Sequence, residues 1–169
     1  MCGLAGYIGN KNISKLTKKK ILSLMINRGP DSQVYKSYKL NNKKKLNLFF
    51  SRLKIIDLSN KANQPFYFKN LILMFNGEIY NYLELRNELI KKGYKFETDS
   101  DTEVLIKSIH FWGEKVFEKL IGMWSIYYYD TEKKISVLSR DRFGEKPLYY
   151  LNLKNHFYFG SEINILKEL

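Results

Sequence analysis

Cysteine occurs once in 169 residues, at position 2. A lone cysteine excludes an internal disulfide and makes a reducing, cytoplasmic setting the default. Histidine is nearly as scarce. His110 and His156 have no motif around them, which leaves too few ligands for a metal site built on His and Cys. No apolar run approaches the ~20 residues that span a bilayer, so no membrane segment is expected. The N-terminus also lacks the basic patch, apolar stretch and small-residue cleavage site of a signal peptide. Arginine is confined to positions 28, 52, 86, 140 and 142, although the net charge is +12. The excess is lysine, spread along the chain with short clusters at Lys18–Lys20 and Lys43–Lys45 and no long basic tract. That distribution argues against a nucleic-acid partner. Against a lysine background, each arginine draws attention for its planar, bidentate fork.

What the chain has is a length suited to one domain, one that buries about 70% of its unfolded surface. Apolar residues at 44% and charged residues at 27% are ordinary for a globular protein. The cysteine sits in Met1-Cys2-Gly3-Leu4-Ala5-Gly6. Removal of Met1 would give Cys2 a thiol and a free α-amine on one carbon. The thiolate is a strong nucleophile, and an α-amine near pKa 7.7–8.0 is a base at neutral pH. One residue then supplies both halves of an activated nucleophile. Taken alone, a cysteine at position 2 is more readily read as an accident of sequence.

The pattern predicts strands at 3–9, 33–40, 46–52, 71–76, 123–130, 134–140, 147–152 and 156–160. Helices are expected from Thr17 to about Met25, from Asn81 to Gly93, from Ser100 to Trp112 and over 162–169, with a short helical turn at 116–120. Asn81 followed by Glu84 resembles a capping box. Turns are expected at Arg28-Gly29-Pro30-Asp31, Asn41-Asn42, Thr131–Lys133 and Lys154-Asn155. Leu71–Phe75 and Met123–Tyr129 are apolar almost without interruption, which would hide both faces of a strand. Two mainly antiparallel sheets, stacked and covered outside by helices, account for this. The expected class is α+β, a four-layer α/β/β/α sandwich.

Besides the N-terminus, six segments stand out: Asn27–Ser32, Ser51–Asp57, Asn76–Asn81, Ser100–Glu103, Arg140–Tyr150 and Gly160–Ile163. Each has a plain structural reading. Asn76-Gly77 reads equally as a turn after a strand, and Arg52 as a surface residue at a strand end. Glu78 and Asp101 read as solvated carboxylates or as first-turn acids on a helix dipole. Arg28, Asp31, Asp141 and Arg142 suit structural salt bridges. Together they make a different set. Attack by Cys2 on an amide needs oxyanion donors, which the Asn76 amide and the Gly77 N–H can supply at a strand end. Arg52 can hold an α-carboxylate through its fork, and Glu78 with Asp101 an α-ammonium. That is a recognition set for a free amino acid with an amide side chain.

Cys2-Gly3-Leu4-Ala5-Gly6, the RGPD turn, RLKIID, NGEIYN, SDTEV and RDRFGEKPLYY, in this order, resemble the glutaminase domain of glutamine-dependent asparagine synthetases. These are class II glutamine amidotransferases of the N-terminal-nucleophile hydrolase type. The resemblance spans residues 1–169 as one domain and implies the four-layer sandwich. It implies that Cys2 is the nucleophile and its α-amine the base after Met1 removal. Asn76 and Gly77 would form the oxyanion hole. Arg52 would bind the glutamine α-carboxylate, Glu78 and Asp101 its α-amine, with Leu53, Ile55 and Ile56 lining the pocket. The expected reaction is hydrolysis of L-glutamine to glutamate and ammonia through a γ-glutamyl thioester. In one departure, Asn27 stands where the family usually has His.

In a second departure, the chain carries no Ser-Gly-Gly-rich pyrophosphate loop or other phosphate cradle. No cofactor is expected in this domain, and ATP and Mg would belong to a separate synthetase domain or subunit that takes the ammonia. The chain is then a piece of a longer protein, a split gene product or an independent domain, and a homodimer is compatible with it. Two alternatives stay open: the same glutaminase serving another acceptor, such as a surface-polymer sugar, and a non-catalytic regulatory domain of the same fold.

Overall fold

A computed structural model describes residues 1–41 and 43–169. Asn42, half of the expected Asn41-Asn42 turn, lies outside the described residues. In chain order the elements are β1 (Gly3–Gly9), α1 (Lys15–Met25), β2 (Ser32–Lys39), β3 (Lys45–Arg52), β4 (Phe66–Phe68) and β5 (Leu71–Ile79). There follow α2 (Tyr82–Lys91), α3 (Asp101–Trp112), α4 (Val116–Lys119) and β6 (Gly122–Asp130). The chain ends with β7 (Ile135–Arg140), β8 (Tyr149–Leu153), β9 (His156–Gly160) and α5 (Ile163–Glu168). Two compact units result: Met1–Leu53 with Pro147–Leu169, and Lys54–Lys146. Among the described residues, no helix is long and apolar enough to cross a membrane.

The first unit is built on a five-stranded sheet in the order β2-β3-β1-β9-β8. All its pairings are antiparallel, with Gly3 opposite Ser51 and Gly6 opposite Phe159. Ala5, Tyr7 and Phe49 share one face and pack with Ile21 and Met25 of α1 and Ile165 of α5. Leu4, Leu46, Leu48 and Phe50, on the alternate positions, are buried as well. Helix α1 starts two residues earlier than its apolar periodicity suggests, because the Ser14 hydroxyl accepts the Thr17 N–H at 3.0 Å.

The second unit carries the four-stranded antiparallel sheet β4-β5-β6-β7. Leu71, Leu73, Phe75 and Ile79 on one side of β5 join Trp124, Ile126 and Tyr128 of β6. This face packs on Leu85 and Leu89 of α2 and on Val104, Leu105 and Ile109 of α3. The alternate residues Ile72, Met74 and Tyr127 are also buried. The uninterrupted apolar runs thus correspond to strands with both faces covered, and the expected α+β class with two antiparallel sheets is what the chain has.

Three local expectations are corrected. Strand β5 runs to Ile79 rather than ending at 76, so Asn76-Gly77 lies inside a strand and is neither a turn nor a strand end. The full register with β6, from Leu71 opposite Asp130 to Ile79 opposite Gly122, carries it through. Asn81 makes no side-chain cap for α2. Its amide instead bridges the loop before β6, donating to Lys119 O at 2.9 Å and accepting the Ile121 N–H at 3.0 Å. Strand β4 was not expected, because three residues after a proline are too short to show a period.

Candidate functional site

Cys2 lies one residue before β1, where the β1–β3 register places it opposite Arg52. Its Sγ accepts the Leu53 N–H at 3.3 Å and lies 3.6 Å from Leu53 O. The sulfur thus meets both backbone polar groups of Leu53. The cysteine backbone is held separately: Arg28 Nε donates to Cys2 O at 3.1 Å, while Arg28 Nη1 pairs with Glu162 at 3.2 Å. Arg28 therefore joins the RGPD turn to the segment after β9. Ser161, from the same segment, accepts the Leu4 N–H on its hydroxyl at 3.1 Å and donates its own N–H to Leu4 O at 2.9 Å.

The RGPD turn presses on the end of β3. A Cβ on Gly29 would sit 2.4 Å from the Ser51 carbonyl, and Asp31 N–H donates to Arg52 O at 3.1 Å. Arg52 is 6% exposed, so it is not a surface arginine. Asn27, by contrast, is exposed. The first unit thus gathers Cys2, Arg52 and Leu53 at one end of its sheet.

In the second unit, Asn76, Gly77, Glu78 and Ile79 are consecutive on β5, opposite Ser125, Trp124, Met123 and Gly122 of β6. Asn76 is 1% exposed, and its Nδ2 lies 3.5 Å from Ser125 Oγ. Both backbone groups of Trp124 face away from β5, toward Asp141: Asp141 N–H donates to Trp124 O at 2.9 Å, and Trp124 N–H donates to the Asp141 carboxylate at 3.3 Å. Gly77 and Trp124 are accordingly a non-hydrogen-bonded pair, the kind in which strands approach most closely. A Cβ on Gly77 would stand 2.1 Å from Met123 O and 2.8 Å from Trp124 Cα, so only glycine fits. By the same alternation the Gly77 N–H points away from β6, along the edge that β4 reaches only as far as Leu73.

Side chains hold the backbone on either side of that N–H. Gln64 accepts the Phe75 N–H at 2.6 Å and donates to Phe75 O at 3.0 Å. Asp101 accepts the Ile79 N–H at 3.2 Å. Asp101 opens α3, whose N-cap is the Ser100 hydroxyl on the Glu103 N–H. Burial pushes its carboxyl from 3.8 up to about 6, against the lowering pull of the Ile79 and Thr102 N–H groups, and Glu78 adds to the rise. Asp101 is therefore no solvated carboxylate. Just ahead of it, the buried Glu103 carboxylate accepts the Glu97 and Thr98 N–H groups at 3.1 and 2.7 Å and pairs with Lys107. Glu103 is dedicated to this turn.

Ile55 is 66% exposed. Ile56 lines a shallow pocket with Asp57 and Asp99, and the Asp57 carboxylate there accepts the Asp99 N–H at 3.0 Å. Among the described residues, Asp141 of the RDRFGEKP segment makes backbone hydrogen bonds rather than the expected ion pair. It binds the Glu145 and Lys146 N–H groups at 2.8 and 2.9 Å, and these donors outweigh burial and hold its pKa low. Gln64 and Ser125 escaped the sequence reading. Their roles rest on backbone partners set by strand register, which no local motif announces.

The glutamine amidotransferase domain family matches residues 1–169. Among curated proteins, the chain is 37% identical over 169 residues to asparagine synthetase [glutamine-hydrolyzing] 1 of Bacillus subtilis, covering 96% of this chain and 26% of that protein. It is 35% identical over 180 residues to the putative asparagine synthetase [glutamine-hydrolyzing] 2 of Methanocaldococcus jannaschii, covering 96% and 34%. The chain therefore spans about a quarter to a third of the length of these relatives. Among solved structures, the glutamine phosphoribosylpyrophosphate amidotransferase of B. subtilis, complexed with ADP and GMP, aligns with a TM-score of 0.71 at 19% identity. That alignment covers 98% of this chain and 43% of the other. A structure titled as the allosteric regulatory enzyme of purine biosynthesis aligns with a TM-score of 0.77 at 18% identity over 99% and 43%. The fold is shared with these proteins, and the match along the whole sequence shows that this chain belongs to the glutamine amidotransferase domain family.

Proposed function

We propose that this chain hydrolyses L-glutamine to glutamate and ammonia, with Cys2 as the nucleophile once Met1 is removed. The observation that carries the reading is the convergence in the first unit. The only thiol accepts the Leu53 N–H at 3.3 Å, and the residue before Leu53 in the chain is the buried Arg52. In this reading Arg52 binds the α-carboxylate of glutamine, and Glu78 with Asp101 binds its ammonium. Asn76 Nδ2 and Gly77 N–H receive the oxyanion, and Leu53, Ile55 and Ile56 contact the substrate chain. The Cys2 α-amine takes the thiol proton during attack and delivers it to the leaving ammonia. It then takes a proton from the water that opens the γ-glutamyl thioester and returns it to the departing Cys2 sulfur. The ammonia is supplied to an ATP-dependent ligase like that of the asparagine synthetases, with ATP and Mg bound there and not here. A thiolate nucleophile suits a reducing, cytoplasmic compartment.

Cys2→Ala tests the assignment. Glutamate release should vanish while the thermal midpoint stays within a few degrees, because the residue is half-exposed and precedes β1. Release at the wild-type rate by the alanine protein would sink the nucleophile.

A further inference from the structure

We infer that Gln64 is a positioning residue for the oxyanion donors, an inference that rests on the glutaminase reading above. Strand β4 pairs with β5 at Phe66–Leu73, Tyr67–Ile72 and Phe68–Leu71, and there it stops. Continued by two residues, the same register would bring the backbone of Gln64 opposite Phe75. The chain instead turns at Pro65, and the Gln64 side chain takes the place of the missing rung. Its amide accepts the Phe75 N–H at 2.6 Å and donates to Phe75 O at 3.0 Å, as a neighbouring strand would.

Gln64 is 5% exposed, and its Nε2 also lies 3.5 Å from Thr102 Oγ1, beside Asp101. It thereby ties β5 to the start of α3. Asn76 and Gly77 follow Phe75 directly, and Asp101 fixes Ile79 on their far side. On the edge away from β6, the two proposed donors lie on a short span pinned at both ends by side chains rather than by a strand. Loss of the Phe75 pin would let Gly77 N–H drift from the line it holds. Oxyanion donors act on charge that develops only in the transition state, so the loss should fall on kcat and not on KM.

Two substitutions test this on the full 169-residue chain. Gln64→Met keeps the volume and removes both hydrogen bonds. It should lower kcat about 10- to 100-fold, leave the glutamine KM within about threefold, and speed amide exchange at Phe75. Gln64→Glu supplies a sharper readout. As an anion it sets oxygen against Phe75 O, but protonated it presents the same acceptor and donor as the amide. Burial raises such a carboxyl's pKa. At saturating glutamine, its kcat relative to wild type should therefore recover as pH falls from 8 to 5.5. A residue of merely structural importance would lower the folded fraction without that acid rescue.

A wild-type kcat in Gln64→Met, a loss confined to KM, or a pH-independent deficit in Gln64→Glu would overturn the inference. The reading beneath it fails on different results: a wild-type chain that releases no glutamate, or a Cys2→Ala chain that releases it at the normal rate.

Discussion

Asp101 shows most directly how a residue proposed for substrate binding is kept at a cost to the fold. Burial, with the Glu78 charge adding to it, raises its carboxyl pKa to about 6. In the unfolded chain it titrates near 3.8. Between those values the folded protein keeps a proton that the unfolded chain has released. Stability from this group is thus complete below about pH 4 and is lost as pH rises through 6. Asn at this position stays neutral and retains an oxygen for the Ile79 N–H. Asp101→Asn should therefore be more stable than wild type at pH 8, by at most about 3 kcal/mol at 1.36 kcal/mol per pKa unit, with the gain gone below pH 4. Denaturant unfolding at the two pH values measures this, and equal stability at pH 8 would refute it. A cation bound at Asp101 would lower that pKa, as the proposed contact with the α-amine of glutamine requires.

At the scale of elements, what sequence reveals depends on whether the determinant is local. Strands β1 and β3, helix α3 with its Ser100 cap, and the RGPD turn were legible because their signals lie within a few residues of one another. The close approach at Gly77 was expected, but its place was not. Asn-Gly reads as a turn, and only pairing with β6, whose Trp124 turns its backbone to Asp141, shows that β5 continues. Arg52 and Cys2 were selected for their chemistry, and the β1–β3 register supplies the reason they face each other. Gln64 remained hidden because it acts on a backbone eleven residues away. The Gly77–Trp124 contact makes a prediction of its own. A methyl group at Gly77 must push β6 away from β5, since the obstructing atoms are backbone rather than flexible side-chain ends. Gly77→Ala should cost roughly 1–3 kcal/mol of stability by overpacking. The folded fraction should also lose more than tenfold in kcat, because the displaced backbone carries a proposed donor. Wild-type unfolding midpoints in the alanine protein would show that the strands have room.

For the whole molecule the question is where the ammonia goes. The +12 charge gives no direction, since the lysine excess is scattered while Arg52, Lys107 and Lys146 are buried in the framework. The relatives of this chain are three to four times longer, and their names couple glutamine hydrolysis to asparagine synthesis. The sequence shows no glycine-rich loop pattern for a nucleotide phosphate. Chemistry on this chain should therefore end at free ammonia. Given glutamine alone, the protein should release glutamate and ammonium in equal amounts, and adding ATP, Mg and aspartate should change neither the rate nor the ratio. Coupled enzymatic assays for the two products, with chromatography for AMP and asparagine, measure this directly. A rise in rate on adding ATP, or any AMP formed by the purified chain, would show a nucleotide site within these residues and would overturn the division of labour. Unequal yields, with ammonium short of glutamate, would instead mean that an acceptor is amidated by this chain itself. Equal yields indifferent to ATP would assign the acceptor chemistry to a separate ligase domain or subunit, and leave Cys2 with hydrolysis alone.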